Sequence, residues 1–155
     1  MIRPLLALGL LLGTSHAQTT TVIAPVGDGP DTSILAAELS EAIDRALAVT
    51  PRLSRMNRDA LLPDDLAITF GCVTVDVPCA RAAGRAAGTE RVLLPRFEQR
   101  GDRLSVRIDL LATSRARDDR RSAWLVGPLS SIDDPRLQVA LRYIARGALT
   151  RGVQR

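Results

Sequence analysis

Glu90–Ser114 reads ERVLLPRFEQRGDRLSVRIDLLATS. In its second half Leu104, Val106, Ile108 and Leu110 alternate with Ser105, Arg107 and Asp109, which predicts a half-buried strand with the apolar set inward. ERVLLPRFEQ reads as a strand before it, and RGDR between them as a turn, so the two strands form a hairpin. RARDDRR is a charged connection, and SAWLVGPL returns as a third strand. Residues 90–128 therefore make an antiparallel meander.

Working upstream, PCARAAGRAA (Pro78–Ala87) is helical in composition: proline suits a first turn, alanine is the best helix former and Gly88 supplies a left-handed stop. Further back, VIAPVG reads as a strand over residues 21–26, after a polar lead QTTT and before the breaker cluster GDGPD. Asp31 or Thr32 caps a helix that runs to Ala48, with Ile34, Leu35, Leu39, Ile43 and Leu47 on one face. Pro51 ends it. LSRM is short enough for an edge strand or a loop, MNRDALLPDD has room for a turn or two of helix, and residues 63–71 show no regular pattern. Downstream, Asp134 before Pro135 opens a closing helix lined by Leu137, Leu141, Ile144 and Ala148. The order is β-α-(β)-α-β-β-β-α. It defines an α/β (α+β) domain with a single mixed sheet of about 4–5 strands and helices packed on it.

The amino terminus, MIRPLLALGLLLGTSHAQ, has a basic start at Arg3, an apolar run over Leu5–Leu12, and small residues at Ser15 and Ala17. This is the pattern of a secretory signal cut after Ala17, and the apolar run is about half the roughly 20 residues a spanning helix needs. Residues 1–17 are thus read as a signal peptide and 18–155 as one exported domain, periplasmic or secreted, with no transmembrane segment after cleavage. All 21 basic residues are arginine, which marks a GC-rich bacterial genome, and the formal net charge is +4. Nucleic acid is not expected as a partner, because so modest an excess comes with few stacking aromatics.

The only histidine is His16, inside the signal, and lysine is absent. Triads, histidine-ligated zinc, Schiff-base chemistry and the lysine of a phosphate-binding loop are excluded for the mature chain. No catalytic residue, cofactor or metal is expected. The doublets Asp64–Asp65, Asp118–Asp119 and Asp133–Asp134 fit solvated loops and helix starts better than a carboxylate pair across a cleft. Asp28 and Asp31 in GDGPD lack the alternating spacing of a calcium loop.

Cys72 and Cys79 are the only cysteines, and in an oxidising compartment two neighbouring thiols form a structural disulfide first of all. A redox pair and a metal site are the alternatives; the spacing is wider than C-x-x-C, and two thiolates are too few for a metal. Arg115, Arg117, Arg120 and Arg121 gather at the last hairpin tip, with Arg103 and Arg107 near them in the pattern, as candidate contacts to an anionic surface or an acidic partner. Trp124 shares a strand face with Ser122 and Val126, where it is either core or contact surface.

The series of VIAPVG with its amphipathic helix, the close cysteine pair, ARAAGRAAGTERVLL and the hairpin FEQRGDRLSVRIDLLATS resembles exported α/β domains related to the amino-terminal domain of TolB. Such domains occur in myxobacterial and other proteobacterial envelope proteins. The resemblance covers residues 22–149 and implies a mixed sheet with helices packed on it and a role in binding other envelope proteins. It supplies no catalytic residue. The expected function is a non-enzymatic protein-binding accessory domain of the bacterial envelope; the alternative is an anion- or lipid-associated accessory protein that uses the arginine tip.

Overall fold

The computed structural model describes residues 17–28, 32–50, 53–56, 59–100, 103–114, 120–127, 135–136 and 139. In chain order the elements are β1 (Gln18–Val22), β2 (Val26–Asp28), α1 (Thr32–Ala48), β3 (Leu53–Arg55), α2 (Pro63–Phe70), α3 (Val77–Ala86), β4 (Arg91–Arg100), β5 (Arg103–Ala112) and β6 (Arg120–Gly127). Of the closing helix, Pro135, Arg136 and Val139 are helical; Leu137, Leu141, Ile144 and Ala148 lie outside the described residues.

The six strands form one mixed sheet in the order β3-β1-β4-β5-β6, with β2 also on β4. β1 pairs in parallel with β3 and β4, and β2 in parallel with β4. β4, β5 and β6 pair antiparallel, with Leu94 opposite Asp109 and Arg96 opposite Arg107.

The one strand expected over residues 21–26 is two. Between Val22 and Val26 the chain advances four residues, while β4 advances three from Leu93 to Arg96, so the inner strand carries one residue too many. The break falls where Ile23 N–H still donates to Leu93 O (3.0 Å), Ala24 N–H turns to Leu61 O (2.8 Å), and Pro25 has no N–H to give. Six segments thus fill five positions.

The polar lead is also strand, with Thr20 and Thr21 fully buried in β1. Threonine is β-branched and suits a central strand once its hydroxyl is satisfied. Thr20 Oγ1 donates to Gln18 O, and Thr21 Oγ1 shares a 2.9 Å hydrogen bond with Thr89 Oγ1. Because Thr89 Oγ1 lies 3.1 Å from both Gly84 O and Arg91 O and has one proton to give, Thr21 is the donor in that pair.

Both faces of the sheet are covered. On one, Leu39, Ala42, Ile43 and Ala46 of α1 pack on Val22, Leu93, Phe97, Val106, Ile108 and Leu110. On the other, Leu66 of α2 and Cys79, Ala80 and Ala83 of α3 pack on Ile23, Val92, Leu94 and Leu111. The connection β1-α1-β3 moves one position along the sheet, and β3-α2-α3-β4 moves back past β1. Crossovers of one hand that run in opposite directions must place their helices on opposite faces. That topology explains why the half-buried strand expected over residues 104–110 is buried on both sides at its end: Asp109 and Leu111 are as inaccessible as Ile108 and Leu110. Each such aliphatic side chain contributes roughly 2 kcal/mol through burial.

On α1 the buried stripe runs through Leu39, Ala42, Ile43 and Ala46 with Leu35 and Leu47 beside it, while Ile34 is exposed, contrary to its expected place on the inner face. Gly27 lies against the Phe97 ring so closely that a Cβ there would overlap it.

Candidate functional site: the disulfide-braced face

α2 was not assigned from sequence, yet its ends are well marked. Pro63 stands in the first turn with Asp64 and Asp65, whose carboxylates suit the positive end of the helix dipole, and Gly71 closes the helix at φ 64°, in the left-handed region. Leu66 is its fully buried anchor and Phe70, one turn on, is partly buried beside it; that i, i+4 pair between a proline and a glycine is the signal that identifies the helix. Of the stretch before Pro63 that was expected to hold a turn or two of helix, residues 56 and 59–62 are not helical.

Past Gly71 the chain is fastened to α3. Cys72 and Cys79 are bonded, with Cα atoms 6.0 Å apart, a separation that suits an ordinary bridge. The Cys79 N–H donates to Asp76 Oδ1 at 2.9 Å, so the residue that carries the bridge is also held by the helix cap. α3 then presses on the sheet at Gly84, where a Cβ would strike Val92 Cγ2 and Thr113 Cγ2. Cys79 is buried among Ala80, Ala83 and Leu66, and Cys72, Val75 and Val77 pack partly against that cluster.

The bridge closes a loop of eight residues and should contribute about 2.5 kcal/mol by restricting the unfolded chain. Cys72→Ser/Cys79→Ser is therefore expected to lower the free energy of unfolding, read from urea denaturation, by about 2.5 kcal/mol; an unchanged midpoint would contradict the bracing role.

This assembly presents three large apolar side chains outward. Ile68, on the side of α2 opposite Leu66, is 84% exposed; Val73, inside the disulfide loop, is 99% exposed; and Leu62 at the start of α2 is 54% exposed. Side chains of this kind on an element fixed by a bridge, a cap and a close helix–sheet contact can form the apolar part of a protein contact at little ordering cost.

A second feature of the same sheet face is polar. Asp109, fully buried, accepts from Arg96 Nη2 at 2.7 Å and from Arg107 Nε at 3.0 Å. Arg96 and Arg107 are register partners, and the carboxylate between them relieves the repulsion of like charges directly opposite. The sequence places Arg107 and Asp109 on the outer face of a strand, and Arg107 also near the arginine tip. The arrangement is structural: the hydrogen bond from Arg96 ties β4 to β5, and the one from Arg107 lies within β5.

Of the four arginines of the expected tip, Arg120 and Arg121 fall within the described residues. Arg115 and Arg117 lie outside the described residues; the backbones of Arg120 and Arg121 open β6 opposite Leu111 and Leu110. Arg103, expected near that tip, pairs with Arg100 at the opposite end of β5, roughly 30 Å of strand away, and Arg107 is engaged with Asp109. Trp124 is in register with Arg107. Asp28 is exposed at the end of β2, and Asp31, Asp118, Asp119, Asp133 and Asp134 lie outside the described residues. Among the described residues no three histidine, cysteine or acidic side chains gather as a metal site, and no helix is long and apolar enough to cross a membrane.

A sheet with α1 on one face and two helices on the other, parallel at one edge and a meander at the other, defines a three-layer α/β class. No protein-family model matches the chain, and no curated protein matches it. Among solved structures, TolB from Acinetobacter baumannii is similar at a TM-score of 0.52 and 18% identity, over 86% of this chain and 29% of that one. The hypothetical protein CT253 from Chlamydia trachomatis is similar at a TM-score of 0.51 and 16% identity, over 87% of this chain and 95% of that one. The resemblance to TolB is thus one of fold, and this chain spans less than a third of the TolB chain. The disulfide fits an extracytoplasmic location.

Proposed function

We propose that this chain is a non-enzymatic accessory domain of the bacterial envelope that binds a protein partner through the disulfide-braced α2 face. The observation that carries the reading is the exposure of Ile68 and Val73 on the element that the Cys72–Cys79 bridge holds rigid. The TolB-like fold, the leader pattern of residues 1–17, and a mature sequence with neither histidine nor lysine support it. A partner with an apolar groove or strand edge buries these side chains and leaves Asp64 and Asp65 at the polar rim.

The test is Ile68→Asp/Val73→Asp. Both side chains are outside the core, so the double variant should unfold within about 1 kcal/mol of the wild type. Its recovery of envelope partners after cross-linking and affinity capture should fall about tenfold or more, as when a contact centre is lost. Equal recovery by variant and wild type would remove this face from the account, and retention of both on anionic vesicles would transfer the role to the arginine tip.

A further inference from the structure

β1 begins at Gln18, the residue that follows the expected cut after Ala17, so the mature chain enters the sheet with no linker. Gln18 stands opposite Leu53 at the start of β1, its carbonyl accepts from Thr20 Oγ1, and its side-chain Oε1 accepts from Arg91 Nε at 3.1 Å. Around it is an open depression of 380 Å³, lined also by Glu90, Arg91, Thr113 and Ser114. Arg81 Nε and Arg85 Nη1 reach the carbonyls of Ala112 and Thr113 at the same end of the sheet.

We propose that cleavage after Ala17 exposes Gln18 as the amino terminus and that Gln18 then cyclises to pyroglutamate, with Arg91 as hydrogen-bond donor to the reacting carbonyl. The inference rests on the export reading above. In the step the α-nitrogen lone pair attacks Cδ of its own side chain and the N–Cδ bond forms. The Cδ–Nε2 bond breaks, one amine proton passes to the leaving nitrogen, and ammonia departs; nothing is oxidised or reduced, and no co-reactant is needed.

Negative charge develops on Oε1 as the tetrahedral intermediate forms, and a guanidinium N–H already aimed at that oxygen stabilises it. The lactam keeps this oxygen as a hydrogen-bond acceptor. The depression leaves room for the side chain to fold back and for ammonia to leave. The product is a neutral terminus closed to aminopeptidases.

The test is the intact mass and amino-terminal sequence of the protein exported with its own leader from a bacterial host, followed over time at neutral pH. The expected product is residues 18–155 less one ammonia, blocked to sequencing. It should form about tenfold faster in the native protein than in the same protein unfolded in urea, less than the gain from an oxyanion donor in a closed active site because this one is open to water. Arg91→Leu, checked for folding by circular dichroism, should fall to the urea rate. A free Gln18 amine that persists, or equal rates in native and unfolded protein, would overturn the proposal while leaving the export reading intact. A chain left uncut or cut elsewhere would overturn both.

Discussion

Asp109→Ala is expected to lower the free energy of unfolding by about 3 kcal/mol, the low end of what breaking a buried ion pair costs. The carboxylate is fully buried, while the Arg96 and Arg107 side chains are 33% and 24% exposed, so water can take up part of what they lose. What remains is the repulsion between two guanidinium groups placed opposite each other across β4 and β5, and a void beside Leu94 and Leu111. Asp109→Asn keeps the shape and one acceptor and should cost about half as much. Urea unfolding with an unchanged denaturant slope measures both. An Asp109→Ala midpoint equal to the wild type would show that the triad is not a tie within the hairpin.

Gly84→Val should cost about as much, near 3 kcal/mol, the upper end of overpacking penalties. A Cβ at Gly84 has no space before Val92 and Thr113, so α3 must lift from the sheet, and lifting it loosens the Thr89 hydroxyl contact with the Gly84 carbonyl. That hydroxyl also meets Thr21, so the disturbance reaches β1. Gly84→Ala should show most of the loss with the smaller side chain. If Gly84→Val instead retains the wild-type midpoint, α3 does not sit on β4 and β5 at this point.

The meander was legible because β5 alternates in residue type and the tight RGDR turn leaves little freedom of register. α1 was legible from its periodicity and the stop at Pro51, and α3 from its alanine content with Pro78 and Gly88 at its ends. The break between β1 and β2 was not, since it depends on which carbonyl Ala24 finds, a long-range matter that Pro25 only hints at. Nor were Thr20 and Thr21 legible as core: threonine counts as polar until a partner such as Thr89, distant in sequence, completes its hydrogen bonding. Asp109 escaped for a related reason. Alternation says that it faces away from Ile108, and only the crossover topology says that the other side is covered as well.

In the candidate site, the two cysteines were readable from their scarcity and spacing. Ile68 was not, because an exposed apolar side chain leaves no periodic mark on a helix of only eight residues, and Val73 was not, because it stands in a loop with no period to read. Arg103 shows the converse: the sequence pattern sets it near the arginine tip, whereas a ten-residue strand carries it to the other end of the sheet.

The most direct measurement is photo-cross-linking in intact cells with a light-activated residue placed at position 73, on the braced loop, or at position 34, on the opposite face of the sheet. Both sites are exposed and both side chains are apolar, so they differ in location rather than in chemistry. Adducts to a discrete partner from position 73, with none from position 34, are the expected result. Adducts from position 34 alone, or from neither position, would contradict binding through the disulfide-braced face.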